Sequence, residues 1–273
     1  KEYKVLDKGF VRLVDYLGGD ARIVQAARVS YGEGTKSYRE DAALIDYLLR
    51  HEHTSPFEQV ILTFHVKLPI FVARQWIRHR TARVNEMSSR YSILPDEFYV
   101  PAPQDLAAQS KDNKQGRADE PLSDVQAEEV LGVVQQAQSG AYAGYSALIE
   151  RDLARELARI VLPVSVYTQW YWQIDLHNLF RFFQLRLDPH AQTMLDITRA
   201  VAPMAVDSFE RNLLHGVRFS GPEMEELRRR LSASQDSTGQ SGQSVQALQP
   251  EVGHLKGKVL ERFEEKLKTG KQL

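Results

Sequence analysis

Residues 59–68 (QVILTFHVKL) alternate, with Val60, Leu62, Phe64, Val66 and Leu68 facing one way and Ile61, Thr63, His65 and Lys67 the other. A period of two predicts a strand with one apolar face. Residues 166–174 (VYTQWYWQI) alternate again and are rich in aromatics, which suits a second strand. Most other apolar positions recur at helical spacing. Asp20 is placed to cap a helix through ARIVQAARVS, and residues 38–50 (YREDAALIDYLLR) predict another amphipathic helix. Pro69 stands where the first turn of a helix accepts it, ahead of IFVARQWIRHR. From residue 122 to 160 the pattern is helical, in one or two pieces given Gly132, Gly140 and Gly144, and Pro163 ends it. Residues 176–187 and 191–214 return to helical spacing. Helices mixed with a few strands predict an α/β or α+β domain of ~200 residues or slightly more.

Two polar stretches break the pattern. Residues 104–124 (QDLAAQSKDNKQGRADEPLSD) have no hydrophobic period and read as a surface loop or partly disordered insertion. Residues 232–250 (SASQDSTGQSGQSVQALQP) are rich in Ser, Gln and Gly and read as a flexible linker. Beyond them, GHLKGKVLERFEEKLKTGKQ suits one short helix with Leu255, Val259, Phe263 and Leu267 on a single stripe. The expected organisation is a domain over residues 1–219 carrying the insertion, then a linker and C-terminal helical tail over 220–273.

Composition narrows the chemistry. At 42% hydrophobic and 26% charged, the chain can bury a sizeable core. Thirty-five basic against 36 acidic residues leave a net charge of −1, which excludes coating nucleic acid by bulk charge but allows a local basic patch. With Cys 0 there are no disulfides, thiolate metal sites or cysteine nucleophiles. The first twenty residues contain no continuous apolar stretch of the signal-peptide kind, and no apolar run nears the ~20 residues that span a bilayer. A cytoplasmic protein is the expectation.

The informative segment is 74–91, RQWIRHRTARVNEMSSRY, with Arg74, Arg78, His79, Arg80, Arg83 and Arg90 against one carboxylate, Glu86. Mutual repulsion disfavours such clustering unless anions sit among the cations. A helix over 69–78 would put Gln75 and Arg78 on one face, and an extended run over 85–91 would alternate Glu86, Ser88 and Arg90 onto another. Such residues offer phosphate forks, a hydroxyl, and amide and carboxylate groups able to read a base or sugar. By charge pattern alone the same segment also suits a solvated face or a nucleic-acid patch.

RHRTARVNEMSSRY closely resembles the signature of the flavin-dependent thymidylate synthases: RHR, a short spacer, then NE, Ser and RY. HTSPFEQV (53–60), RQWIRHR, ARIVLP (158–163) and QLRLDPHAQ (184–192) also look like family elements in family order, so the resemblance covers roughly the first 220 residues. It implies an α/β fold without a Rossmann crossover, assembled as a homotetramer whose active sites lie at subunit junctions. It further implies reductive methylation of dUMP to dTMP, with methylenetetrahydrofolate supplying the carbon and FAD, reduced by NADPH, the hydride. The lack of cysteine agrees with a chemistry that needs no thiol attack on uracil.

By the same resemblance, Arg186 in QLRLD is the guanidinium that promotes ionisation of the pyrimidine. Residue types alone allow a helix-surface arginine there, or one paired with Asp188. The nucleotide would be held by Gln75, Trp76, Ile77, Arg78, Glu86, Met87, Ser88, Ser89, Arg90, Arg159 and Arg186. FAD would be held by Ser55, Arg78, His79, Arg80 and Glu86, and by Asp175, Leu176, His177, Arg181 and His190. His53 would stack on the folate side, although a surface-loop histidine fits the position equally. No metal site is implied. The chain departs from the family pattern at Arg83, where serine is usual, and at Asp175 and His177, where many members carry Asn and Arg.

Overall fold

A computed structural model of the chain describes residues 1–29, 38–111, 116–237 and 255–270, in two compact units, Lys1–Val206 and Asp207–Leu273. The first unit is built on five antiparallel strands: β1 (Glu2–Val5), β2 (Gly9–Leu17), β3 (Ile61–Pro69), β4 (Arg83–Glu86) and, after a separate hairpin, β7 (Tyr167–Asp175). They form one sheet of order β1-β2-β3-β7-β4. β3 and β7 lie where alternation predicts strands, and they pair from Ile61 with Asp175 to Pro69 with Tyr167. The β1–β2 hairpin is an addition to the sequence reading, because its short alternation ends in a bulge between Leu13 and Asp15. Gly9 is required there: a Cβ would lie 2.7 Å from the carbonyl oxygens of Lys67 and Val5 and 2.9 Å from His190 Nε2.

One face of the sheet is buried. Leu62, Phe64, Val66 and Leu68 of β3 and Trp172 and Ile174 of β7 have no exposed surface. Against this face pack α4 (Ile70–Trp76), α7 (Leu176–Leu185) and α8 (Pro189–Val201). α7 contributes Leu179, Phe180, Phe182 and Phe183, each stabilising the fold by roughly 1.5–3 kcal/mol through burial. α1 (Asp20–Arg28) packs on α2 (Tyr38–Arg50) and on α3 (Ser55–Glu58), which packs on α7, and α9 (Pro203–Phe209) begins near the end of this unit.

Several sequence expectations need correction. Asp20 does not cap its own helix: Gly19 is the N-cap, and the Asp20 carboxylate accepts the N–H groups of Met204 and Ala205 at 2.8 and 3.0 Å, capping α9 instead. The helical run expected over 191–214 breaks at Ala202, because Pro203 cannot continue α8. Residues 104–124 are not all loop: β5 (Ala107–Gln109) and β6 (Arg117–Pro121) form the separate hairpin. The helical pattern over 122–160 does hold: the glycines at 132, 140 and 144 all lie inside one helix, α5 (Asp124–Glu150), started by a capping box of Ser123 and Gln126. α6 (Arg155–Ala158) follows it.

The second unit contains α10 (Gly221–Ser237) and α11 (Lys258–Thr269). α10 extends into the stretch read as linker, of which residues 238–250 lie outside the described residues. The apolar stripe is only partly realised: Leu255 and Phe263 are buried, but Val259 and Leu267 are 52% and 42% exposed. Lys266 is buried in their place, its Nζ 2.8 Å from Glu223 Oε1. Among the described residues, no helix is long and apolar enough to cross a membrane.

Candidate functional site

β4 ends at Glu86, whose Oε1 accepts the Thr168 hydroxyl at 2.6 Å. Met87 N–H donates to Gln169 O at 2.9 Å, and the chain then turns, with Arg90 N–H donating to Ser88 Oγ at 3.3 Å and Tyr91 N–H to Ser88 O at 3.2 Å. The extended run expected over 85–91 therefore stops at Glu86, and Glu86, Ser88 and Arg90 do not alternate along one strand. The Ser88 hydroxyl offers the backbone a local partner that competes with the sheet.

α5 holds this turn from beneath. The Tyr145 hydroxyl accepts Leu94 N–H at 3.1 Å, the Tyr142 hydroxyl donates to Leu94 O at 3.2 Å, and Leu94, Tyr145 and Ala158 are buried with Met87 against them. α6 and the turn after it approach from the side. Arg155 donates to Tyr91 O at 2.8 Å, and Arg159 donates from Nη1 to Ser89 Oγ at 2.7 Å. Arg90 pairs with Glu156 at 2.9 Å, both side chains more than half exposed. Ser88, Ser89, Arg90 and Arg159 are thus brought to one surface from segments 70 positions apart.

A second set forms where α4 meets α7. α4 ends at Trp76, so Gln75 lies in the helix and Arg78 beyond it. They do not share a helical face as a longer helix would require, although both are exposed, as are Ile77 and Arg80. His79 is partly buried, with its ring edge-on to Phe182 at 5.0 Å. Burial, then the charges of Arg186 and Arg181, hold its pKa below the ordinary 6.5, so His79 is a neutral imidazole beside two cations. Arg186 is the residue just past α7, with φ −144° and ψ 66°, and its Nε is buried without a hydrogen-bond partner among the described residues.

Three expected ligand-contacting side chains lie in the core instead. Trp76 and Leu176 have no exposed surface, and His190 is 1% exposed. His190 donates from Nε2 to Lys67 O at 3.1 Å, and burial lowers its pKa, so it is neutral. All three lie in helices whose inward faces are set by packing against the sheet, which a position in a motif does not register. Asp175 caps α7, accepting Asn178 N at 2.9 Å and Asn178 Nδ2 at 2.7 Å. His177 is half-buried and Arg181 exposed. Ser55 lies apart from both sets, in a groove of about 420 Å³ with Arg22, Gln25 and Gln59. His53 is exposed, its ring edge-on to Tyr47.

Thr168 and His65 are additions to the sequence reading. Thr168 falls on the apolar face of β7, so its hydroxyl needs a partner, and that mismatch is a readable signal. His65 accepts the Arg12 guanidinium on Nδ1 at 2.5 Å, donates from Nε2 to Gln169 Oε1 at 2.9 Å and stacks on Tyr171. His65, Gln169 and Tyr171 line a cavity of about 270 Å³ with Asn85, Glu86 and Met87.

The family described as thymidylate synthase complementing protein matches residues 12–205, and the thymidylate synthase ThyX C-terminal domain matches residues 217–273. A flavin-dependent thymidylate synthase of Treponema denticola is 61% identical over 100% of this chain and 99% of its own. One from Thermus thermophilus is 56% identical over 82% of this chain and 84% of its own. Among solved structures, a UMP/dUMP methylase from Streptomyces cacaoi bound with 5-Br dUMP superposes with a TM-score of 0.68 at 31% identity, covering 77% of this chain and 97% of that one.

Proposed function

The chain belongs to the flavin-dependent thymidylate synthases, and from that premise we propose how its side chains divide the conversion of dUMP to dTMP. The reaction is a reductive methylation in dTMP biosynthesis, with methylenetetrahydrofolate as carbon donor, FAD as cofactor and NADPH as reductant. Ser88, Ser89, Arg90 and Arg159 take the nucleotide phosphate. Guanidinium forks and hydroxyls suit a dianion, and the exposed Arg90–Glu156 pair is cheap to exchange for one. Glu86, fixed by Thr168, together with Met87, Gln75, Ile77 and Arg78, orients the sugar and base.

The residues present fit a flavin dinucleotide. Arg78, Arg80 and Arg181 offer exposed charge to a pyrophosphate, and His79, held neutral, can donate or accept without adding repulsion. When bound, FAD supplies the hydride. Ser55, in its own groove, serves the same cofactor, and His53 the folate side. Trp76, Leu176, Asp175 and His190 act by holding the surrounding backbone.

Arg186 carries the chemical role. Its guanidinium stays charged at any working pH, so it stabilises negative charge on the pyrimidine as ring N3 ionises, which makes C5 nucleophilic. Arg186 is only partly buried although its Nε is enclosed, so the ring would meet the outer nitrogens of the guanidinium. A chain with Cys 0 needs such a substitute for thiol attack. The assembly we propose is a cytoplasmic homotetramer in which the phosphate set of one subunit meets the Arg186 set of another.

The observation that carries this reading is Arg159 reaching Ser89 from a segment 70 positions away, which makes two motifs one anion surface. The test is spectroscopic and isotopic. The purified protein should show flavin absorbance that bleaches with NADPH, and should release tritium from C5-labelled dUMP only when reductant and folate are both present. A colourless protein that FAD cannot reconstitute would overturn it.

A further inference from the structure

Trp76 differs from the chain's two other tryptophans. Among the described residues the indole nitrogens of Trp170 and Trp172 are buried without a hydrogen-bond partner, whereas Trp76 Nε1 donates to Asp188 Oδ2 at 2.7 Å, bridging 112 positions of sequence. The other Asp188 oxygen, Oδ1, accepts the N–H groups of His190 and Ala191 at 3.0 and 3.1 Å and so caps α8. One carboxylate therefore ties the start of α8 to the last residue of α4. An asparagine there would have a single oxygen and would forfeit one of the two attachments.

What these attachments fix is the segment between α7 and α8. Arg186 lies between the end of α7 and Asp188, its backbone N–H still donating to Phe182 O at 2.8 Å. On the other side, Trp76 stands one residue from Gln75, two from Arg78 and three from His79. Trp76 and His79 both contact Phe182 edge-on, at 4.7 and 5.0 Å. The bond therefore spans the two segments that carry the nucleotide-facing residues and the activating arginine.

We propose that Trp76 and Asp188 are a pair of positioning residues that sets Arg186 relative to Gln75, Arg78 and His79 without either touching the substrate. The proposal rests on the role given above to Arg186. A long arginine side chain magnifies small shifts of its own Cα, and a misplacement of about 1 Å in such a site can cost about a hundredfold in rate. Asp188 acts through its hydrogen bonds, not as a charge partner of Arg186.

The experiment compares Trp76→Phe, which keeps an aromatic ring and removes the N–H, with Asp188→Asn and the double variant, all as full-length holoenzyme. We expect each single variant to lower kcat at saturating dUMP about tenfold or more. KM for dUMP should stay within about twofold and bound FAD unchanged, and the double variant should be no slower than the slower single one. A normal kcat in Trp76→Phe overturns the proposal, as do losses that multiply in the double variant. Should Asp188→Asn fail to fold, Trp76→Phe decides alone. Arg186→Ala, measured alongside, separates the two readings. If it turns over normally, the premise fails and the proposal with it; if it is inactive while Trp76→Phe is normal, only the pairing fails.

Discussion

Among single residues, the most exacting contact is the one between Thr168 and Glu86. A hydroxyl on the apolar face of β7, in a residue only 4% exposed, is satisfied by a carboxylate that the proposed function gives to the nucleotide. Hydrogen bonds to charged groups contribute about 1.5–3 kcal/mol, so Thr168→Val should leave Glu86 misoriented and raise KM for dUMP about tenfold or more. Thr168→Ser keeps the oxygen and should restore most of the affinity. Steady-state kinetics on both variants decides the point, and equal KM values in valine and serine variants would remove Thr168 from the site. The departure at Arg83 is mild by comparison: its side chain is exposed and donates to Gln173 Oε1 at 3.4 Å.

Among the elements, α5 governs the turn proposed to face the phosphate, through Tyr145. Tyr145→Phe strands the buried Leu94 N–H, a loss of about 1–3 kcal/mol, and should loosen residues 88–91. The expected signature is a weaker KM for dUMP with kcat nearly kept; an unchanged KM would detach α5 from binding. In the C-terminal unit, Lys266 and then the backbone N–H of Ser220 hold the Glu223 carboxyl at about 2, below its ordinary 4.5. Hydrogen bonds from Arg229 and Arg230 do the same for Glu226. A depressed carboxylate stabilises the fold above its unfolded pKa and loses that contribution as pH falls through the folded one. Hydrogen exchange of α10 and α11 should therefore be faster in Glu223→Gln than in wild type at neutral pH, and the gap should close between about 4.5 and about 2. A gap that ignores pH would show that the ionisation of Glu223 contributes nothing to it.

For the molecule taken whole, the two site sets each have internal support, one from α5 and α6, the other from α4, α7 and the Asp188 cap. The proposed tetramer joins them between subunits, which predicts complementation. Arg159→Ala and Arg186→Ala, each inactive alone, should recover activity when co-assembled, because random mixing makes roughly a quarter of such junctions wild type. A mixture as inactive as its components would place both sets in one chain's own site. The two family matches, to residues 12–205 and 217–273, fall largely within the separate compact units, consistent with the C-terminal helices having a core of their own.

The two central strands, the long helices and the kind of chemistry were all legible in the order of residues. Alternation and helical spacing are local properties, and the absence of cysteine is a plain count. Most residues of the proposed phosphate surface stand within one short segment of the motif, and the fold adds Arg159 to them. Which of the motif residues face outward was not. Trp76, Leu176 and His190 sit in or beside family motifs yet lie in the core, and Asp20 spends its carboxylate on a helix some 184 positions away. Such partners are chosen by packing in three dimensions, where a buried donor or acceptor takes whichever group the fold brings within reach, and spacing along the chain carries no record of that choice.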